Sequence, residues 1–362
     1  MNKRDLLLLV PLALFALNAM VFFPFLSDDA LISLRYSERF SSGQGLTWND
    51  GERVEGYSNL LWVLLSSGLI SAGVPGILSL RILGVFSSAM FLFTVYAYWR
   101  RKPLRVLFPL LFASVSAPIA VWALGGLEQP LVLMLVSLSV PLIWRAGEDD
   151  SVSSWILSSV PLALLCITRP DGPLFTAGAF LAALVCGGGR KSFLLLILPV
   201  VFFAGQTLFR LHYYGDWIPN TARIKVKPSL FTVLRGGKYV LTGLLALSPL
   251  TAVSTAGFFR GLRLRSFRLL LPGIMAGGWL LYVMVIGGDI FPAWRHLVPV
   301  IPLFVWLSAE FLSGIPARKH HPVLLLAVLA LYIPLQYILP LNRAAMEERW
   351  EWDARVVSLA LT

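Results

Sequence analysis

Two adjacent carboxylates follow the first apolar stretch of the chain. Asp28 and Asp29 follow the run from Leu6 to Leu26, separated from it by Ser27 alone. Ionised groups at a bilayer edge lose hydration that only water, partner groups or a substrate can replace. A carboxylate in that position can act as a general base toward a hydroxyl group. The simpler interpretation is that Ser27 or Asp28 caps a helix running to about Phe40, but capping needs only one carboxylate.

Composition indicates the class of protein that holds these carboxylates. Of the 362 residues, 57% are apolar and only 14% are charged, which is typical of a polytopic membrane protein. A formal net charge of +11 would favour a nucleic-acid partner for a soluble domain. Here the Lys and Arg residues lie mostly in short clusters between apolar runs, where they act as topology signals. We therefore expect an all-α polytopic membrane protein with no nucleic-acid partner.

Apolar runs divide the chain into about eleven predicted transmembrane helices. The run from Tyr57 to Ala72 is interpreted as a half-inserted helix. Counting it as a crossing would put the basic cluster at residues 100–102 on the outer side, against the positive-inside rule. The predicted crossings cover residues 6–26, 78–99, 105–123, 130–144, 153–168, 172–186, 193–210, 239–259, 269–286, 297–314 and 323–340.

Five polar segments rich in Gly and Pro fall on the predicted outer face of the membrane, opposite the basic junctions. They are residues 28–56, 125–130, 168–172, 212–221 and 287–296. A transporter usually places its functional polar residues near the bilayer midplane, within helices. This arrangement therefore favours a site at the outer interface.

Basic side chains in these segments are candidates for binding an anionic group. They are Arg169, Arg295, His296, Arg223 and Lys225. The alternative for Arg295 and His296 is snorkelling at the membrane boundary, and for Lys225 it is a solvated loop face.

Other polar side chains of the same segments are candidates for contacting substrate. They are Arg35, Tyr36, Glu55, Tyr57, Asn59, Glu128, Asp171, Asn220 and Asp289. Several have simpler interpretations: a headgroup contact for Arg35, an interfacial anchor for Tyr57, a helix cap for Glu128, and an ion pair with Arg169 for Asp171. The four histidines are too scattered for a zinc site.

A series of ordered motifs carries a family resemblance over nearly the whole chain. The motifs are DDALISLRYSERFSSGQGLTWNDGERVEGYSNLLWVLL, GGLEQP, TRPDG, YYGDWIPNT and GGDIFPAWRHLVPVIP. In these motifs the chain resembles the bacterial GT-C membrane glycosyltransferases related to the mycobacterial terminal β-(1→2) arabinofuranosyltransferase. The resemblance implies a GT-C-like transmembrane domain over residues 1–341, with juxtamembrane helices in an external catalytic loop, residues 27–77. Residues 342–362 would then begin an external C-terminal segment that is reduced or truncated here.

The resemblance also implies an activity. Such enzymes invert the anomeric centre as they transfer a sugar from a polyprenyl-phosphate donor to a glycan or lipid-linked acceptor, outside the bacterial cytoplasmic membrane. The sugar would be a pentose such as arabinofuranose, or a hexose. In these families the acidic pair of the first external loop is catalytic, so Asp28 is the first candidate for the base. Asp29 would orient Asp28 or bind an acceptor hydroxyl. The basic side chains would bind the leaving polyprenyl phosphate, because fixed cations stabilise the charge that develops on it. Asp28 and Asp29 are also candidate ligands of a divalent cation. The alternatives are a lipid or sugar carrier, a flippase, or a noncatalytic scaffold.

Overall fold

The computed structural model describes residues 6–101, 103–186, 189–217, 229–316 and 321–348. These ranges form α-helices joined by short loops, and no strand occurs within them. Two short 3₁₀ segments, Arg190–Phe193 and Arg295–Val300, precede longer helices. The helices are α1 (Leu6–Val21), α2 (Asp28–Ser41), α3 (Leu60–Ser71), α4 (Gly76–Trp99), α5 (Pro103–Ser114), α6 (Ala117–Leu124), α7 (Gln129–Asp149), α8 (Val152–Thr168), α9 (Pro173–Val185), α10 (Leu194–Tyr214), α11 (Leu230–Ala246), α12 (Ser248–Leu264), α13 (Phe267–Ile286), α14 (Ile301–Ser313), α15 (His321–Ile338) and α16 (Pro340–Glu347).

Several of these helices are long and apolar enough to cross a membrane, which confirms the prediction of an all-α polytopic protein. Five helices in the described ranges meet that requirement, or up to eight if each bent helix pair counts as one span. A total of eleven also requires the shorter helices α1, α8 and α9, so that number stays a prediction. The run interpreted as half-inserted forms α3, whose 12 residues have a length of ~18 Å; its insertion in the membrane stays a prediction.

Three helix pairs are sharply bent. The predicted crossing over residues 239–259 is not one straight helix, because α11 and α12 meet at Leu247 with an angle of 101°. Pro249 lies in the first turn of α12, a position where proline fits but cannot extend a preceding helix. The predicted crossing over 105–123 is likewise divided into α5 and α6, bent by 53°, and α15 and α16 are bent by 55°.

A buried asparagine satisfies backbone groups at the break between α5 and α6. Nδ2 of Asn18 donates to the carbonyl oxygens of Ser114 and Ser116, at 3.3 and 3.2 Å. The hydroxyl of Tyr337 donates to Oδ1 of Asn18 at 2.9 Å. Unpaired backbone groups are costly in an apolar interior, so these hydrogen bonds stabilise the bend between α5 and α6.

The two ends of the helical bundle differ in chemistry. We call the end that carries residues 22–59, 125–128, 169–172 and 287–296 the loop end. At the opposite end, the guanidinium of Arg268 lies 3.3 Å from Glu148 and 3.6 Å from Glu310, and 4.7 Å from the ring centroid of Trp144. This cluster connects the end of α7, the start of α13 and the end of α14.

Candidate active site

The acidic pair lies at the first turn of α2, at the loop end. Ser27 occupies the N-cap position, but its side chain makes no capping bond. Oδ1 of Asp28 accepts a bond from the backbone N–H of Asp29 at 2.8 Å and one from the Ser27 hydroxyl at 3.4 Å. The Asp28 side chain is exposed, and that of Asp29 is 40% exposed. Both carboxylates are therefore open to a ligand from outside the protein.

The Gly125–Gly126 turn holds the start of α2 in place. The backbone N–H of Ser27 donates to the carbonyl of Gly125 at 3.1 Å. Gly126 has a φ of 81°, and a Cβ there would lie 2.6 Å from the Cβ of Ala30. Only glycine combines a positive φ with such a close approach. The turn therefore allows the first turn of α2 to pack directly onto the segment that precedes α7.

An arginine faces the acidic pair from the segment between α13 and α14. Nη1 of Arg295 lies 3.9 Å from Oδ2 of Asp29. Its Nε and Nη2 donate to the two carboxylate oxygens of Asp289, at 2.6 and 3.2 Å. The guanidinium also lies 4.0 Å from the ring centroid of Phe291 and 5.7 Å from that of Trp122. The sequence motif around residues 289–295 thus places a cation beside the first loop.

His296 and Asp289 belong to the same arrangement. Nε2 of His296 lies 3.7 Å from Oδ2 of Asp289, and the His296 carbonyl accepts a bond from Nε1 of Trp279 at 2.6 Å. Burial acts to raise the pKa of Asp289, but the electrostatic interactions with His296 and Arg295 outweigh it and hold that pKa below its usual value. Burial lowers the pKa of His296 to about 4, so at neutral pH Arg295 is the cation beside Asp289. Asp289 is therefore ionised at neutral pH.

The backbone of this segment is strained just before Arg295. Ala293 and Trp294 have φ values of 52° and 45°, in a region that side chains other than glycine rarely occupy. Such strain persists only where surrounding contacts maintain it. Here Nε1 of Trp122 donates to the carbonyl of Pro292 at 3.2 Å, and the N–H of Ala293 donates to the carbonyl of Leu341 at 2.9 Å.

The second predicted cation, Arg169, lies between two carboxylates. Its Nη1 donates to Oε1 of Glu128 at 2.5 Å, and its Nε and Nη2 donate to Asp171 at 2.7 and 2.9 Å. These two carboxylates raise the pKa of Arg169 despite its burial. Burial raises the pKa of Asp171, but the charge of Arg169 outweighs it, so the pKa lies below its usual value. The Tyr282 hydroxyl donates to Asp171 at 3.0 Å.

Glu128 connects this ion pair to the first loop. Its Oε2 accepts a bond from Nδ2 of Asn59 at 2.8 Å, and Nδ2 of Asn59 also lies 3.0 Å from the Ser33 hydroxyl on α2. Glu128 and Asn59 are 4% and 3% exposed. The structure therefore brings three predicted site residues, Asn59, Glu128 and Arg169, into one buried network beneath α2.

Other predicted contacts lie inside the first loop. Glu55 accepts two bonds from Arg210, at 2.5 and 3.1 Å. Tyr57 accepts a bond from the hydroxyl of Tyr214 at 3.1 Å, and Tyr36 donates to the carbonyl of Val54 at 2.7 Å. These side chains are buried and attach the loop to α2 and α10. Arg35 is exposed on α2, whereas Asn220, Arg223 and Lys225 lie outside the described residues.

Sequence reasoning missed several residues of the site. The predicted apolar spans include Arg210, Tyr239 and Tyr282, so these residues were not considered as part of a site. A charged residue within such a span, as Arg210 is, indicates a functional position. Tyr239 accepts a bond from the N–H of His296 at 3.2 Å. Glu348 was also missed: burial raises its pKa, and the neighbouring charge of Asp28 raises it further.

The described residues offer no set of three His, Cys, Asp or Glu side chains that could hold a metal ion. Asp28 and Asp29 provide two carboxylates in adjacent positions. A divalent cation bound there would need its remaining ligands from water or substrate. The suggested cation site stays a prediction, and no step below depends on it.

Helical architecture and a loop-end site define the class of fold. The chain has the GT-C fold. It matches the crystal structure of ArnT from Cupriavidus metallidurans bound to undecaprenyl phosphate with a TM-score of 0.64. The match covers 90% of this chain and 62% of the ArnT chain. The apo structure of ArnT matches with a TM-score of 0.59, covering 84% and 59%. Sequence identity is 16% in both comparisons, so this likeness concerns the fold alone.

Sequence similarity points to particular glycosyltransferases. The chain is 27% identical over 327 residues to the terminal β-(1→2)-arabinofuranosyltransferase of Corynebacterium glutamicum, covering 78% of this chain and 47% of that enzyme. It is 29% identical over 225 residues to the Mycobacterium tuberculosis enzyme of the same name, covering 55% and 35%. The chain thus spans less than half the length of these relatives. No protein-family model matches it.

Proposed function

We propose that this chain is an inverting glycosyltransferase that uses a polyprenyl-phosphate sugar as donor. The sugar is a pentose such as arabinofuranose, or a hexose, and the acceptor is a glycan or a lipid-linked glycan. The reaction takes place at the outer face of the bacterial cytoplasmic membrane. Similarity to two arabinofuranosyltransferases supports the reaction class. The undecaprenyl phosphate bound to a protein of the same fold supports a polyprenyl donor.

One observation carries this proposal: an exposed carboxylate pair lies beside a buried arginine at the loop end. Nη1 of Arg295 faces Asp29 across 3.9 Å, while Asp28 is exposed in the same helical turn. Sugar transfer needs a base for the acceptor hydroxyl and a cation for the departing phosphate. Both kinds of group are present within one small region.

The proposed reaction is a single displacement. The carboxylate of Asp28 takes the proton of the acceptor hydroxyl, and the acceptor oxygen bonds to the anomeric carbon from the face opposite the leaving group. The bond between that carbon and the phosphate oxygen breaks, and its electron pair stays on the polyprenyl phosphate. Arg295 stabilises the charge that this oxygen gains. Attack from the opposite face inverts the anomeric centre.

The remaining network orients these groups. Asp289 holds the guanidinium of Arg295 through two hydrogen bonds, which sets its plane relative to the first loop. Glu128 and Asn59 connect the buried Arg169 to α2, so they hold the helix whose first turn carries Asp28. We assign Arg169 to this supporting network, because its donors already bond to two carboxylates.

The decisive experiment compares two conservative variants in membranes supplied with radiolabelled polyprenyl-phosphate pentoses and hexoses. Asp28→Asn keeps the shape of the side chain and removes the base, so transfer should fall by about 10²- to 10⁴-fold. Glu38→Gln, an exposed carboxylate on the same helix, is the matched control and should retain full activity. Thermal unfolding of each variant establishes that it is folded.

The outcomes separate the competing functions. Undiminished transfer by Asp28→Asn would refute its role as base. Movement of the labelled lipid across the membrane without sugar transfer would instead favour a carrier or flippase. If the wild-type chain neither transfers nor moves any donor of the panel, the scaffold interpretation gains support.

A further inference from the structure

Two buried amide side chains lie where the three bent helix pairs meet. Gln336 on α15 and Asn342 on α16 both have no exposed surface. Polar groups so deeply buried are costly unless they are hydrogen-bonded. Their partners are all backbone groups next to helix breaks, which distinguishes them from ordinary contacts between helices.

Gln336 joins two separate breaks with one side chain. Its Oε1 accepts a bond from the N–H of Ala117, the first residue of α6, at 3.1 Å. Its Nε2 donates to the carbonyl of Ala246, the last residue of α11, at 3.0 Å. The first N–H groups and last carbonyls of a helix have no partner inside that helix. Gln336 therefore provides a partner for one such N–H group, that of Ala117, and for one such carbonyl, that of Ala246.

Asn342 extends the connection to the third break. Its Nδ2 donates across the bend between α15 and α16 to the backbone carbonyl of Gln336, at 2.8 Å. The position of Gln336 is thereby linked to α6, α11 and α16 at once. We call Gln336 and Asn342 the amide node.

Each helix held by the amide node leads to a different part of the candidate site. Helix α6 runs into Gly125, whose carbonyl binds the N–H of Ser27, next to Asp28. Helix α11 carries Tyr239, whose hydroxyl accepts the N–H of His296. Helix α16 carries Leu341, whose carbonyl accepts the N–H of Ala293. Three hydrogen bonds thus connect the node to the acidic pair and to the segment of Arg295, two between backbone groups and one to the Tyr239 hydroxyl.

We propose that Gln336 is a positioning residue that fixes the segments of Ser27, Ala293 and His296 relative to one another. The distance between Asp28 and Arg295 then depends on a buried amide outside the site. The use of that placement in catalysis rests on the function proposed above, but the mechanical coupling does not. A node limited to local packing would affect only the helix ends that it contacts.

Amide hydrogen exchange tests this coupling directly. Gln336→Met keeps the length of the side chain and removes both polar contacts. In the native state of the purified full chain in nanodiscs, we expect exchange at the N–H groups of Ser27 and His296 to rise about tenfold. This change corresponds to about 1.4 kcal/mol in the free energy of local opening. Exchange at Ala293 should stay unchanged, because the backbone carbonyl of residue 336 still accepts the bond from Asn342. The measurement needs no substrate, so it stands even if the proposed sugar transfer fails.

The matched control removes a buried hydrogen bond elsewhere. The Ser254 hydroxyl donates to the carbonyl of Phe304 at 3.0 Å, between α12 and α14. Ser254→Ala should lower overall stability and leave exchange at the three reporter amides unchanged. If Gln336→Met raises exchange only near residues 117 and 246, or raises it equally in α8 and α10, the proposal is overturned.

A second variant covers the case in which Gln336→Met does not fold. Asn342→Ala removes the connection to α16 and leaves the Gln336 side chain intact. Exchange should then rise at Ala293, which bonds to Leu341 of α16, and stay unchanged at Ser27 and His296. An equal rise at all three amides, or no rise at Ala293, would contradict the assignment of one segment to each arm of the node.

Discussion

Replacing Arg169 should change both the stability of the protein and the sign of its pH dependence. Arg169→Met leaves Glu128 and Asp171 without their cation, and these side chains are only 5% and 8% exposed. Breaking a buried ion pair in this way costs about 3–5 kcal/mol. We expect that loss in the free energy of unfolding at pH 7. The matched control, Arg145→Met, breaks an exposed pair with 72% of the arginine side chain accessible, worth ~0–1 kcal/mol.

The pH dependence follows from the pKa of Asp171. In the native chain this pKa is lowered, because the charge of Arg169 outweighs burial. A lowered folded-state pKa stabilises the protein above the unfolded value of about 3.9, and that contribution is lost as the pH falls through the folded value. Without Arg169, burial should raise the pKa above the unfolded value. The variant should then become more stable as the pH falls from 7 toward 5.

Thermal unfolding followed by tryptophan fluorescence at several pH values measures both effects. Between pH 7 and 5 the unfolding temperature should rise for Arg169→Met, relative to its own value at pH 7. The Arg145→Met control should follow the wild type throughout. A variant as stable as that control at pH 7, with the pH slope of the wild type, would refute the assignment of a buried charge network around Arg169.

Two further changes probe the first loop and the helix packing. Glu55→Gln leaves Arg210 with a buried, unpaired charge, so the loop should be cut faster by proteases, with a loss of about 3–5 kcal/mol in stability; unchanged proteolysis would contradict the anchoring role. Gly236→Ala places a Cβ 2.1 Å from the Met284 carbonyl oxygen and should cost ~1–3 kcal/mol. The control is Gly277→Ala, because a Cβ at Gly277 has no neighbouring atom within 4 Å. If the two variants unfold at the same temperature, the close packing at Gly236 is contradicted.

The sequence predicted the helical class and the gathering of polar segments because both follow from local patterns. Long apolar runs require helices in a membrane, and short loops bring alternate helix ends to the same side. The loop end of the bundle accordingly carries Asp28, Asp29, Glu128, Arg169 and Arg295. The predicted ion pair between Arg169 and Asp171 is present. It was predictable because the two residues lie close together in the sequence, within one turn.

Contacts between residues distant in the sequence were not predictable in this way. Glu55 pairs with Arg210, 155 positions away, and nothing near either residue identifies the other. The bend at Leu247 was missed because hydropathy stays high across it, although Pro249 gave a local signal. Apolar patterns report which residues are buried, whereas helix breaks depend on distant side chains such as Gln336 that satisfy the freed backbone groups.

The surroundings of the two aspartates support different roles within one helical turn. Nη1 of Arg295 lies 3.9 Å from Oδ2 of Asp29. Asp28 bonds to the adjacent N–H and to the Ser27 hydroxyl, and it is the more exposed of the two. A base must meet the acceptor hydroxyl, while the cation must stay beside the leaving phosphate on the other side of the sugar. We therefore propose that Asp28 takes the proton and that Asp29 helps to orient Arg295.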